Sequence, residues 1–223
     1  MEFFNFNKPS ISDLSFHKES WELYDNFDTN ISWFTEERDA ARLQLFNEPY
    51  TWPFDLGEEA AARTFFENQS IGMGGALIQM NVEEISGLES LVGIFKYRSP
   101  VPDHMGMFYI AVIWIPFKEF CFQINFESLE TDPTGAREAA VSLIEIPTPV
   151  ESDEEPELIT GDELFARMGQ SQIVLSPSDD PKYDAGFPEH PLTKVRSYIQ
   201  HLRDNLVINK DLLKQKRHRL NND

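Results

Sequence analysis

Cysteine is nearly absent from this sequence, since Cys121 is the single one among 223 residues. One thiol cannot close an intrachain disulfide and is a poor start for a zinc site, so the sequence indicates a reducing compartment. Long apolar runs are also missing. The longest run, Met107 to Phe117, is well short of the ~20 residues of a membrane-spanning helix. The opening MEFFNFNKPS lacks the pattern of a signal peptide, so we expect a cytoplasmic protein with no membrane span.

Basic residues are scarce. The chain has 19 Lys and Arg against 38 Asp and Glu, and its net charge is −19. Such a charge repels phosphate backbones, so a nucleic-acid partner is disfavoured and a basic protein partner is favoured. The surplus carboxylates have a simpler interpretation as solvated groups that aid solubility. Hydrophobic residues make up 41% of the chain, which is enough for a packed core.

The charge divides the chain into zones. Residues 1–146 hold 9 basic and 24 acidic groups and are predicted to form an acidic α+β body. Residues 147–187 hold 2 basic and 10 acidic groups and several prolines, and they are predicted to be a linker or long excursion. Residues 188–209 are predicted to be a C-terminal helix that belongs to the body. Residues 210–223 are predicted to be a disordered basic tail.

Alternation of apolar and polar residues predicts strands throughout the body. These strands cover Ile31–Phe34, Ala41–Leu45, Ala76–Glu83, Leu91–Tyr97, Phe108–Ile115 and Phe120–Glu127. The segment Phe108–Ile115 is apolar on both faces and is predicted to be a central strand. The short connection that follows it predicts an antiparallel hairpin.

Helical spacing predicts three helices. The first would start at Asp55, as an N-cap with Glu58 completing a capping box. The second would start at Asp132-Pro133 and bury Ala136, Ala139, Ala140 and Leu143. The third follows Pro191, and its apolar stripe is expected to pack on the body's own sheet rather than in a partner's groove. Together these elements predict an α+β fold, with a central antiparallel sheet of about five to seven strands flanked by helices.

Motifs that carry chemistry are missing. The glycine-rich run 71–75 follows a helix instead of preceding one, so it terminates the helix and does not bind phosphate. The five histidines show no metal-ligand spacing. The sequence also lacks a Gly-x-Ser-x-Gly motif, whose serine an Asp–His pair such as Asp103-His104 could activate. The sequence therefore predicts no catalytic residue, no cofactor and no metal. An alternative is a hydrolase or small-molecule-binding domain with a pocket near His104.

The strand order, the hairpin from Trp114-Ile115-Pro116 to Phe120-Cys121-Phe122, and the segment 134–139 that follows resemble the Mog1/PsbP-like group. This resemblance covers about residues 20–146. It implies a central antiparallel sheet with flanking helices, and a role in binding other proteins. The segment 187–192 resembles uncharacterised bacterial proteins and implies no function.

The function predicted from these features is a non-enzymatic module that binds a protein partner. An immunity-type protein, or an adaptor or chaperone-like protein for a basic partner, fits this description. The candidate interaction residues are acidic groups of the connector and two aromatic side chains, namely Glu151, Asp153, Glu154, Glu155, Trp33 and Trp52. The aromatics of the first quarter have a second interpretation as core. The basic tail either contacts RNA or an anionic surface, or folds back on residues 151–157. The sequence leaves the oligomeric state open.

Overall fold

The computed structural model describes residues 8–18, 20–131, 134–145 and 171–219. The strands are β1 (Leu14–Ser15), β2 (Glu22–Phe27), β3 (Asn30–Phe34), β4 (Ala40–Phe46), β5 (Ala76–Ile85), β6 (Leu88–Arg98), β7 (Met107–Pro116), β8 (Cys121–Leu129) and β9 (Val207–Ile208). The α-helices are α1 (Glu59–Gly72), α2 (Ala136–Glu145) and α3 (Pro191–Asn205). Short 3-10 turns cover Ile11–Asp13, Pro177–Asp179, Pro181–Gly186 and Leu212–Lys214.

A seven-stranded antiparallel sheet forms the centre of the molecule, in the order β2-β3-β4-β8-β7-β6-β5. The predicted α+β fold class is confirmed, as are the central position of β7 and the β7–β8 hairpin. In the hairpin turn, the Phe117 amide donates to the Phe120 carbonyl at 2.8 Å. A separate two-stranded sheet pairs β1 with β9 and so joins the two ends of the chain.

The apolar stripe of α3 packs on one face of the sheet, as predicted from its spacing. Leu192, Val195, Ile199 and Leu202 are buried there with aromatic and branched residues of β3, β4, β7 and β8. Val195 and Leu202 have no exposed surface. Full burial of one such side chain contributes about 1.5–3 kcal/mol, so this stripe accounts for the helix's position.

Among the described residues, the other face of the sheet is covered at one end only. Phe66 of α1 packs there with Trp52, Phe54 and apolar residues of β5, β6 and β7. Where the same face continues across β8 and β4, its residues are polar and half-buried. The register places Asn125 beside Arg42, and Gln123 beside Gln44. This end of the sheet therefore has one apolar face and one polar face.

A β-bulge changes the predicted pattern of β5. Alternation predicts that Ala76, Ile78, Met80 and Val82 share the apolar face. The register shifts between Leu77 and Gln79, and Leu77 is buried with Met80 in the core beside α1. An extra residue in one strand flips the faces beyond it, which strict alternation does not anticipate.

Two predicted helix starts differ from the structure. Helix α1 begins at Glu59, and the Glu58 carboxylate accepts a hydrogen bond from the Asp55 amide at 3.0 Å in the turn before it. The capping-box residues therefore close a turn ahead of the helix. Helix α2 begins at Ala136, while Asp132 and Pro133 lie outside the described residues.

The buried face of α2 also differs from the prediction. Arg137 and Val141 are buried, whereas Leu143 is 74% exposed. The helix packs against the 3-10 turn at residues 177–179 through its arginine, so a charged side chain occupies the place that an apolar one was expected to take.

The division into body, connector and tail stays a prediction, but parts of the last two zones have defined contacts. Residues 177–184 pack against α2 and α3 through Arg137 and Arg196. In the C-terminal segment, Leu212 and His218 are buried, and Arg217 forms a β-bridge with Phe117. The disorder expected for 210–223 stays a prediction. No helix in the described ranges has the length and apolarity that crossing a membrane requires.

Candidate functional site

Strand β2 is an edge of the main sheet, and among the described residues no strand pairs with its outer side. Three large apolar side chains on it are exposed: Leu23 by 53%, Tyr24 by 67% and Phe27 by 62%. A β-bulge between Leu23 and Asp25 displaces Tyr24, whose ring lies 5.1 Å from the Phe34 ring. An unpaired strand edge with exposed apolar side chains is a template for pairing with another chain.

Carboxylates surround this edge. Residues 22–38 hold Glu22, Asp25, Asp28, Glu36 and Glu37 against a single cation, Arg38. The arginine lies over the Phe34 ring, with its guanidinium carbon 5.9 Å from the ring centroid. Backbone groups, apolar side chains and negative charge therefore occur together on one surface. We call residues 22–28 the β2 edge.

The interaction residues predicted from the sequence lie elsewhere. Trp33 and Trp52 are each only 6% exposed, so they belong to the core. Trp52 is stacked between Tyr50 and Phe54, with ring centroids 4.9 and 5.4 Å away. Among the described residues of the first quarter, the most exposed aromatics are instead Tyr24 and Phe27 of the β2 edge.

The acidic connector residues, Glu151, Asp153, Glu154 and Glu155, lie outside the described residues, and their role stays a prediction.

Of the three groups considered for catalysis, Asp103 and His104 lie in the loop before β7, and Cys121 lies at the other end of that strand. Asp103 lies in a loop with φ of 60°, and His104 Nδ1 accepts a hydrogen bond from the Gly106 amide at 3.3 Å. Neither residue lines any of the clefts that the described residues form around the β2 edge, α3 or the C-terminal segment. Cys121 is fully buried, and burial raises the pKa of its thiol well above the usual value, which favours the neutral thiol over the thiolate.

A cleft of about 320 Å³ is lined by Glu130 and His190, and Glu138 lies beside these two residues without lining the cleft. Glu130 follows the last residue of β8, Glu138 lies in the first turn of α2, and His190 is the N-cap of α3. One ligand atom from each of the three lies within 4.8 Å of the other two. His190 Nε2 is 3.9 Å from Glu130 Oε1. We call these three residues the Glu–Glu–His triad.

Hydrogen bonds fix the orientation of two members of the triad. The Glu130 carboxylate accepts from the amides of Met107 at 3.0 Å and Gly135 at 2.6 Å. His190 Nδ1 accepts from the Leu192 amide at 3.2 Å and so caps α3. In contrast, Glu138 Oε2 and His190 Nε2 are buried without a hydrogen-bond partner in the described structure.

The electrostatics of the triad follow from burial. Burial, together with the nearby charge of Arg137, lowers the pKa of His190 to about 4, so the ring is neutral at neutral pH. Burial also raises the pKa of Glu130, against the effect of its two backbone donors. Because Nδ1 accepts a hydrogen bond, the single proton of the neutral ring is on Nε2. The triad therefore presents one N–H donor and two carboxylates to the same point.

This arrangement suits a water molecule or a hydroxyl group, which accepts from Nε2–H and donates to a carboxylate. Two carboxylates and one imidazole are also a ligand set for a divalent metal. A metal needs the lone pair of Nε2, and the ring offers it only if Nδ1 gives up the cap of α3. The sequence gives no sign of the triad, because His190 is distant along the chain from Glu130 and Glu138 and the three residues share no motif.

Comparison with known proteins yields a resemblance of fold. No family model matches the sequence, and no curated protein matches it. Among solved structures, the Saccharomyces cerevisiae Ran-binding protein Mog1p aligns with 66% of this chain and 83% of its own, at 12% identity and a TM-score of 0.41. A Bacteroides thetaiotaomicron protein aligns with 71% of this chain and 55% of its own, at 11% identity and a TM-score of 0.36. The Mog1-like resemblance seen in the sequence is thus confirmed as a faint likeness.

Proposed function

We propose that the chain is a non-enzymatic protein-interaction module that binds a basic partner at the β2 edge. The observation that carries this proposal is the edge itself, an unpaired strand with three exposed apolar side chains and neighbouring carboxylates. An extended segment of the partner pairs with the backbone of β2, and its apolar side chains cover Leu23, Tyr24 and Phe27. This mode of recognition is β-strand addition.

The apolar side chains supply most of the binding free energy in this proposal. Complete burial of one large side chain is worth about 1.5–3 kcal/mol. Tyr24 and Phe27 are 67% and 62% exposed, so covering each by a partner recovers roughly 1–2 kcal/mol. Backbone pairing fixes the register of the partner strand and adds less, because water already satisfies the exposed amides and carbonyls.

The negative charge selects the partner. The net charge of −19 steers a basic protein toward the chain, and Glu22, Asp25 and Asp28 place part of that charge at the edge. Exposed ion pairs contribute little affinity and are screened by salt. We therefore expect the association rate to fall with ionic strength more steeply than the dissociation rate rises.

A capture experiment with matched variants tests the proposal. The wild-type chain, the double variant Tyr24→Ser/Phe27→Ser and the double variant Leu143→Ser/Val174→Ser are used to capture proteins from a lysate of the native host at low salt. The control removes apolar side chains of similar exposure, 74% and 65%, away from the edge. We expect a basic protein that the wild type and the control recover and the edge variant loses.

Two results count against the proposal: no recovered protein at all, or a protein that all three chains recover equally. The finer roles of immunity-type protein or adaptor rest on the identity of that partner. A gene for a basic toxin beside the gene of this chain supports the role of immunity-type protein. A chaperone client as the partner, with no neighbouring toxin gene, supports the role of adaptor or chaperone-like protein.

A further inference from the structure

Four cations gather on a chain that is otherwise strongly acidic. Lys118, Lys216, Arg217 and Arg219 line a cleft of about 460 Å³, and none of the described carboxylates lines it. An adjoining cleft of about 310 Å³ shares Lys118 and Arg219 and adds His218. In the described part of the chain, the rest of its lining is the aromatic, proline and threonine side chains of residues 49–53. We call the two together the basic cleft.

Backbone contacts hold the basic cleft in place. The turn between β7 and β8 and the C-terminal segment run side by side: the Lys118 amide donates to the Lys216 carbonyl at 2.9 Å, and Phe117 and Arg217 form a β-bridge. The His218 amide approaches the Pro116 carbonyl at 3.5 Å. Cations from two distant parts of the sequence are therefore fixed next to each other, although like charges repel.

The positive charge of the basic cleft is poorly compensated. Among the described residues, the one ion pair here joins Lys118 to Glu119 at 4.0 Å, and both side chains are more than half exposed. Lys216, Arg217 and Arg219 form no ion pair within the described ranges. Glu89 and Asp55 act electrostatically on Arg217 and His218, but neither carboxylate lines a cleft.

Two buried nitrogens in this region also lack partners. Arg217 lies 4.5 Å from the Phe117 ring centroid and donates through Nη2 to the Glu89 carbonyl, while its Nη1 is buried with no acceptor. His218 is 6% exposed, and its Nε2 likewise has no partner. The Arg217 guanidinium always carries its protons, and a buried N–H left unpaired costs about 1–3 kcal/mol, so a ligand acceptor that reaches Nη1 stabilises the site.

We propose that the basic cleft binds a chain of two or more phosphate groups. Phosphate oxygens accept charge-assisted hydrogen bonds from guanidinium and ammonium groups, and a guanidinium can donate two in parallel. Two or more linked phosphates match four cations better than a single phosphate does. The sources of this chemistry are an inorganic polyphosphate and a nucleoside triphosphate, and the latter extends its base toward residues 49–53. This site is separate from the β2 edge.

Calorimetric titration of the full chain with inorganic triphosphate and, separately, with ATP tests the proposal at low salt. The cleft variant is Lys216→Gln/Arg219→Gln. The control is Lys210→Gln/Lys214→Gln, which removes the same charge from the same C-terminal segment at exposed positions outside the cleft. Circular dichroism and thermal melting establish that all three chains fold alike.

We expect saturable binding of triphosphate that weakens by about tenfold or more in the cleft variant and changes by about twofold or less in the control. Equal affinities for triphosphate and ATP mean that the phosphates alone are recognised. A higher affinity for ATP means that its nucleoside also contacts residues 49–53. No saturable binding of either probe up to about 1 mM, or equal weakening in both variants, overturns the proposal. Neither result bears on partner binding at the β2 edge.

Discussion

Removal of the Arg137 guanidinium is the sharpest test of how the described part of the connector is anchored. The side chain is fully buried and donates to the Ser178 and Asp180 carbonyls at 2.8 and 3.2 Å. It also donates to Thr193 Oγ1 and Asp184 Oδ1, each at 2.8 Å. Arg137 therefore ties α2 to residues 178–184 and to α3 at once.

The expected loss follows from these contacts. Removing one partner of a buried ion pair costs about 3–5 kcal/mol, because the remaining polar groups stay buried without partners. Asp184 keeps Arg196, whose Nη1 lies 2.8 Å from Oδ1, and its side chain is 20% exposed. We therefore expect Arg137→Met to lower the free energy of unfolding by ~3 kcal/mol, at the low end of that range.

Urea unfolding of Arg137→Met beside Arg203→Met measures this effect. Arg203 pairs with Glu83 through two contacts of 2.7 Å, but the two side chains are 32% and 22% exposed. Its removal should cost ~1 kcal/mol or less. Limited proteolysis should cut the Arg137 variant sooner within residues 171–187. Equal losses in the two variants, with unchanged proteolysis, would refute the reasoning.

Two further predictions concern packing and pH. At Gly75 a Cβ would lie 2.3 Å from Tyr97 Cδ1 and 2.6 Å from a carbonyl oxygen of β6, whereas at Gly57 a Cβ meets nothing within 4 Å. Thermal melting should therefore show that Gly75→Ala is destabilised by ~1–3 kcal/mol and that the stability of Gly57→Ala is little changed. The pKa of His190 is about 4 in the folded protein and has its ordinary value of 6.5 in the unfolded chain, so the unfolded chain binds the proton first and stability is lost as pH falls from 6.5 toward 4. Asparagine keeps an oxygen that can cap α3 but does not titrate in this range. The loss of unfolding free energy between pH 6.5 and pH 4, measured by urea titration, should therefore be smaller by ~2–3 kcal/mol in His190→Asn than in the wild type. The opposing contribution of Glu130 is present in both chains. An unchanged pH slope would contradict the assignment of a neutral, buried His190.

The periodicity of apolar residues predicts much of this fold, because the main helices and strands are positioned by the burial of those residues. The stripe of α3 and the apolar strand β7 each need burial, and the structure buries both. Periodicity does not predict the bulge in β5 or the start of α1 at Glu59, because both depend on the residues that pack against these elements. The stripe predicted for α2 fails for the same reason, because Arg137 finds buried acceptors on distant segments.

The functional surfaces were harder to predict than the fold. Trp33 and Trp52 are aromatic in sequence, but only the packing of β3 and of the loop before α1 shows that they face the core. The sheet order then shows that Tyr24 and Phe27 lie at an edge. The Glu–Glu–His triad and the basic cleft each join residues separated by tens of positions. Charged residues are usually solvated, so composition alone gives no reason to bring such groups together.

The central claim is that the chain works as a binding protein through the β2 edge. Hydrogen–deuterium exchange of the free chain and of its complex with the captured partner tests it most directly. The account predicts that the amides of residues 22–27 become protected in the complex, because a partner strand takes up their exposed backbone groups. Protection confined to other surfaces, with the amides of β2 exchanging as fast as in the free chain, would contradict it.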